Sequence, residues 1–158
     1  MKFQRILIGI DDSKYSENAA EYGFDLAHTF KSEVALVHIT EPIIMAPPTD
    51  PGMTGSMMPG LGVEDPELIN LQEEHSSKLI DNTIKRLAGD LQVTQFNEFG
   101  STADAILDCI AKFNADLVVL GTHSRTGLDR FFMGSVSEDV VRHSPVAVLV
   151  VPLKHEDQ

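Results

Sequence analysis

Cysteine is nearly missing from this chain: Cys109 stands alone among 158 residues, which excludes an intrachain disulfide and suits a reducing compartment. A cytoplasmic location is therefore expected. Bases are scarce as well, with 12 Lys and Arg against 24 Asp and Glu and a formal charge of −12. Such a surface repels nucleic acid and anionic lipid, so neither is expected as a partner. No apolar run is long enough to span a bilayer, and the opening MKFQRILIGIDD turns acidic too early for a signal peptide. Three chemical signatures are also absent. There is no Walker A lysine loop, no G-x-G-x-x-G and no G-x-S-x-G elbow, so hydrolase chemistry has no anchor. His, Cys and acidic residues show no metal-ligand spacing, which argues against a structural metal.

What is present describes one ordinary globular domain spanning residues 1–158, with 42% hydrophobic and 23% charged residues. Arg5–Ile10 and Glu33–Ile39 are apolar without alternation, as in parallel strands buried on both faces. Between them Asp11, Asp12 and Ser13 offer N-cap oxygens to a helix of about five turns. Its inner face carries Ala19, Gly23, Leu26, Ala27 and Phe30. Residues 41–64, rich in Pro, Gly and Met, read as a long functional or mobile loop. Asp65-Pro66-Glu67 opens a second helix with Ile80, Ile84 and Leu87 inward, ending near Gly89. Gln92–Phe99 alternates like a half-exposed edge strand. Ser101–Asp104 looks like a capping box ahead of a helix bearing Ile106, Ile110 and Phe113. Asp116–Leu120 is another buried strand, Ser135–Glu138 a second capping box, and Val136 and Val140 mark the inner face of its helix. Pro145 stops that helix before a last strand, Val146–Val151. Five strands alternating with four helices give an α/β fold, a doubly wound parallel sheet. In such sheets ligands sit outside the carboxyl ends of the central strands. Asp11–Ser13, the loop after Ile39 and Gly121–Ser135 converge there.

The segment from Gly121 to Ser135 is the most informative. Gly121 follows a strand and its missing side chain lets a ligand approach the backbone. Gly134 and Ser135 precede a helix whose unpaired N–H groups and dipole favour an anion, and Arg125 and Arg130 add charge. The same features occur in many α/β domains that hold no ligand.

The spacing of Gly121, Gly134 and Ser135 matches G-x2-G-x9-G-[ST], with Val136 following. Together with ILIGIDDS at the start and RHSPVAVLVVP at the end, this identifies a resemblance to the universal stress protein family over nearly the whole chain. The resemblance implies a sheet of order 3-2-1-4-5 and an adenine nucleotide (ATP, ADP or AMP), with magnesium as the ion that would accompany ATP. It would place Asp11 at the adenine or ribose, Ile39 in the adenine pocket, and Leu120 and Gly121 beside the nucleotide. Gly134, Ser135, Val136 and Ser137 would cradle the phosphates. The candidate set is completed by Ile10, Asp12, Ser13, His123, Ser124, Arg125 and Gly127, with Asp11 the candidate magnesium ligand. Ser124 stands where the motif has its second glycine. If that position needs only a backbone N–H, serine serves; if it needs positive φ or no side-chain volume, binding weakens.

The remaining residues have plainer readings. His38 is expected to be a satisfied core histidine and Cys109 a packing residue; His123 can bond a phosphate or its own loop. Met45, Met53, Met57 and Met58 fit a greasy flap better than soft-metal capture. The apolar last strand lacks a successor, and the resemblance implies a homodimer pairing antiparallel along it. The expected function is nucleotide-dependent regulation in the stress response. A slow ATPase or autokinase, with Ser124 or Thr126 as phosphate acceptor, and a nucleotide-free interaction module are the alternatives.

Overall fold

The computed structural model describes residues 3–41, 66–122 and 136–153. Their elements run β1 (Arg5–Gly9), α1 (Lys14–Phe30), β2 (Glu33–Thr40), α2 (Pro66–Leu87), β3 (Val93–Phe99), α3 (Thr102–Phe113), β4 (Leu117–Thr122), α4 (Val136–His143) and β5 (Ala147–Pro152). All strand pairs are parallel, in the order β3-β2-β1-β4-β5. The expected architecture and order are found. The strands that read as continuously apolar, β1, β2 and β4, are the three inner ones, and alternating β3 lies at an edge.

Two hydrophobic layers flank the sheet because successive strand residues face opposite ways. Ile6 and Ile8 of β1 pack with Phe24 of α1 and Ile80 of α2. Leu7 points to the other side, where it meets Cys109 and Ile110 of α3 and Val140 of α4. A helix pair therefore covers each face. Gly23 lets α1 lie close on β1: a Cβ there would come within 2.6 Å of Ile8 Cδ1.

Local signals explain the helix boundaries. Ser13 caps α1 by accepting from Ser16 N at 3.1 Å, and the helix closes at Lys31 in the left-handed region. Pro66 is the first residue of α2; its expected cap, Asp65, falls outside the described residues, as does the loop read at 42–64. One expectation fails. Ser101 holds the N-cap position of α3 with extended backbone, but its side chain makes no capping bond. A capping box needs Glu or Gln at the third helical position, and Asp104 is one methylene too short to reach back. The strand ends also shift slightly, since Ile10 and Val146 lie just outside β1 and β5.

Candidate functional site

At the carboxyl end of the sheet the first residues after β1 form a tight turn. Asp11 Oδ1 accepts from Ser13 N at 2.7 Å, and Asp11 N donates to Ser16 Oγ at 2.7 Å. The turn is therefore locked from both sides by the cap of α1, while Asp11 and Asp12 stay exposed. Ile10 N donates to Val37 O at 2.9 Å, which ties the same turn to β2.

Gly121, within β4, lies against this cap. A Cβ on Gly121 would sit 2.5 Å from Tyr15 O and 2.9 Å from Ser16 N, both backbone atoms of the first turn of α1. Its carbonyl accepts from Ser137 Oγ at 2.9 Å, so the first turn of α4 is held to the end of β4. The structure thus brings together three sequence-predicted positions, Asp11, Gly121 and Ser137, around the start of α1 and the start of α4. The start of α4 therefore belongs to this end of the sheet, and the dipole of a helix start favours an anion there. The reason for glycine at position 121 is sharper than the one read from sequence: the approach it permits is that of α1 itself.

Other predicted positions divide. Ile10 and Leu120 are buried and their side chains belong to the two cores, although Ile10 also lines a cleft. Ile39 and Val136 are half-buried against the α3/α4 layer. Ser13 spends its hydroxyl on capping. His123, Ser124, Arg125, Gly127, Arg130, Gly134 and Ser135 lie outside the described residues, and with them the second capping box. Glu138 takes Arg142 at 2.7 Å, one helical turn on.

Beside the Asp11 turn, on the α1/α2 face, opens a cleft of about 260 Å³. Its polar wall includes Asp11, Asp12 and Glu17, and Arg86 stands opposite, bonded to Glu17 and, at 3.4 Å, to Glu21. Sequence reading missed the histidine of α2 that meets this turn: His75 Nε2 lies 2.9 Å from Asp12 Oδ2. An exposed histidine amid polar helix residues carries no sequence signal of such a contact.

His38 is a buried core histidine, as expected, with Nδ1 2.6 Å from Ser76 Oγ. Burial holds its imidazole below the ordinary 6.5; Asp12 and Asp11 pull upward and His75 pushes further down. A depressed histidine is stabilising while neutral. As pH falls through the unfolded-state value, the unfolded chain takes up a proton that the folded chain resists, so stability declines toward the folded pKa. Thermal melts from pH 7 to about pH 5 are expected to show a steeper fall in Tm for the wild type than for His38→Gln. Equal slopes would show that His38 does not contribute. Cys109 is likewise a packing residue: burial, reinforced by Glu98, pushes its thiol up to about 11, far from a reactive thiolate. Among the described residues no helix is long and apolar enough to cross a membrane, and no group of three or more His, Cys, Asp or Glu is placed to hold a metal.

Comparison with known proteins agrees with this geometry. The model of the universal stress protein family matches residues 2–152. A universal stress protein of Methanocaldococcus jannaschii is 32% identical over 96% of this chain and 85% of its own length. Among solved structures, UspA of Lactobacillus plantarum superposes with TM-score 0.74 at 19% identity, covering 96% of this chain and 99% of that one. A universal stress protein in complex with cAMP gives TM-score 0.65 at 19% identity, covering 98% and 100%. One from Archaeoglobus fulgidus in complex with dAMP gives 0.61 at 17%, covering 96% and 99%.

Proposed function

Since this chain belongs to the universal stress protein family, we propose that it binds an adenine nucleotide at the carboxyl end of its sheet and acts as a nucleotide-dependent regulator in the stress response. The observation that carries this reading is the seating of Asp11, Gly121 and Ser137 around the starts of α1 and α4. Two proteins of the same fold are complexes with cAMP and dAMP, which supports the ligand class. In this reading Asp11 and Ile39 meet the adenine and ribose, and the α4 tip with Gly134, Ser135, Val136 and Ser137 meets the phosphates. The acidic chain cannot attract a polyphosphate through its overall field, so attraction has to be local. Backbone N–H groups at a helix start supply it without a net positive charge. Exposed Asp11 is the position for a magnesium ion carried by ATP, a role in which the ion would offset phosphate charge.

Calorimetry with ATP, ADP, AMP and cyclic AMP tests the proposal. Saturable binding of at least one is the expected result, and a flat titration with all four would overturn it.

The assembly proposed is a two-fold dimer pairing along residues 146–151 in the cytoplasm. β5 lies at the edge of the sheet, and Val148, Leu149 and Val150 remain half-exposed there. Light scattering on the eluting protein is expected to give twice the 17.3 kDa chain mass; a monomer throughout would exclude this pairing.

A further inference from the structure

Three consecutive residues of α2 hold the carboxyl ends of three adjacent chain segments. His75 Nε2 donates to Asp12 Oδ2 at 2.9 Å, just after β1. Ser76 Oγ bonds His38 Nδ1 on β2 at 2.6 Å and donates to Asn97 Oδ1 on β3. Ser77 Oγ accepts from Asn97 Nδ2 at 3.3 Å, which orients that amide. A hydroxyl has one proton, and Ser76 gives it to Asn97, so Ser76 must accept from His38. His38 therefore carries a proton on Nδ1. The His38 and His75 rings meet edge to face with centroids 6.5 Å apart.

These grips fall next to the nucleotide contacts named above. Asp12 follows Asp11 in the chain, and His38 precedes Ile39. Both adenine-side positions are thus one residue away from an atom that α2 holds. We propose that His75 is a positioning residue of the nucleotide site, fixing the Asp11–Ser13 turn through Asp12 while the buried His38–Ser76–Asn97 relay fixes the neighbouring end of β2. The inference rests on the nucleotide-binding reading and adds α2 to the machinery of that site.

The two links differ in how they can be tested. Ser76 is 1% exposed and bonded on two sides, so its removal strands buried polar groups and endangers the fold. The His75 and Asp12 side chains are 58% and 65% exposed, and a surface pair of this kind contributes little to global stability. His75 variants are therefore expected to fold, and any change in binding reports on the site.

The experiment is a double-mutant cycle read by calorimetry with magnesium ADP, accompanied by amide spectra of the nucleotide-free proteins. His75→Ala and Asp12→Ala should each weaken ADP binding about three- to fivefold, the scale of one exposed side-chain pair. The double variant should be no weaker than either single one. His75→Gln, which keeps an N–H donor, should stay close to wild type. Without nucleotide, the amide signals of Asp11 and Ser13 should move in His75→Ala and hold in His75→Gln. Wild-type affinity in His75→Ala, additive losses in the double variant, or unmoved Asp11 and Ser13 signals would each overturn the proposal. So would tighter binding by Asp12→Ala, because the Asp12 charge would then act only by repelling an anionic ligand. If the wild type binds none of ATP, ADP, AMP and cyclic AMP while the amide signals respond as expected, the nucleotide reading falls and the structural link alone stands; if it binds one of the others, the cycle is read with that nucleotide.

Discussion

Glutamate in place of Gly134 is expected to cut adenine-nucleotide affinity by more than about a hundredfold, since two like charges about 4 Å apart near a protein surface repel by roughly 4 kcal/mol. Gly134 precedes by two residues the start of α4 at Val136. In the proposed site the phosphates lie at this tip, where the N–H groups of the helix start are the main attraction. A carboxylate there opposes that attraction and also fills the space that a glycine leaves to the ligand. The chain's charge of −12 offers no surplus of bases to offset the change. Calorimetry on the folded variant, with circular dichroism as the check on folding, decides the matter. Wild-type affinity in a folded Gly134→Glu protein would place the phosphates elsewhere.

The second large effect concerns the fold. Gly121→Ala should destabilise the protein by about 2–3 kcal/mol, lowering Tm by roughly 5–10 °C for a chain of this size. The added methyl meets Tyr15 O at 2.5 Å and Tyr15 C at 2.6 Å, and neither atom can turn aside as a side chain can. Relief requires the start of α1 to move away from β4. That motion also disturbs the Ser16 bond to Asp11 N, so nucleotide affinity should fall in the same variant. Gly9→Ala provides the comparison. Its Cβ also lands at 2.5 Å, but on Leu120 Cδ2, the movable end of a side chain, so the loss should be smaller. Chemical denaturation of both variants beside the wild type measures the difference. If Gly9→Ala proves as costly as Gly121→Ala, backbone proximity is not the reason for glycine at position 121.

How far the sequence reveals this molecule can be judged from particular residues. The uninterrupted ILIG of β1 and LVVL of β4 mark inner parallel strands because burial on both faces leaves no room for polar alternation. Val93–Phe99 mixes polar and apolar residues because an edge strand carries one wet face: Val93 and Phe96 are half-buried while Thr94, Gln95 and Asn97 are exposed. The start of α1 was legible from Ser13, whose short hydroxyl side chain suits capping. Ser101 misled, since the motif was matched by charge while the geometry depends on side-chain length. Of the site, the positions flanking β1 and β4 were legible from their chemistry and from family likeness. Other links were not. Ser76 meets His38 across 38 residues of sequence and His75 meets Asp12 across 63. Neither pairing leaves a periodicity or spacing, because each depends on how α2 lies over the sheet. The resemblance places Ser137 among the phosphate contacts, and the structure adds that its hydroxyl donates to the Gly121 carbonyl.

Titration of the isotopically labelled protein with magnesium ADP, followed residue by residue through its amide signals, tests most directly whether a helix tip can hold a polyphosphate on so acidic a chain. The largest movements should fall on Gly121, Val136 and Ser137 at one end of the ligand and on Asp11 and Ile39 at the other. Movements confined to the α1/α2 cleft around Asn82 and Arg86, with the α4 amides unmoved at saturation, would contradict it.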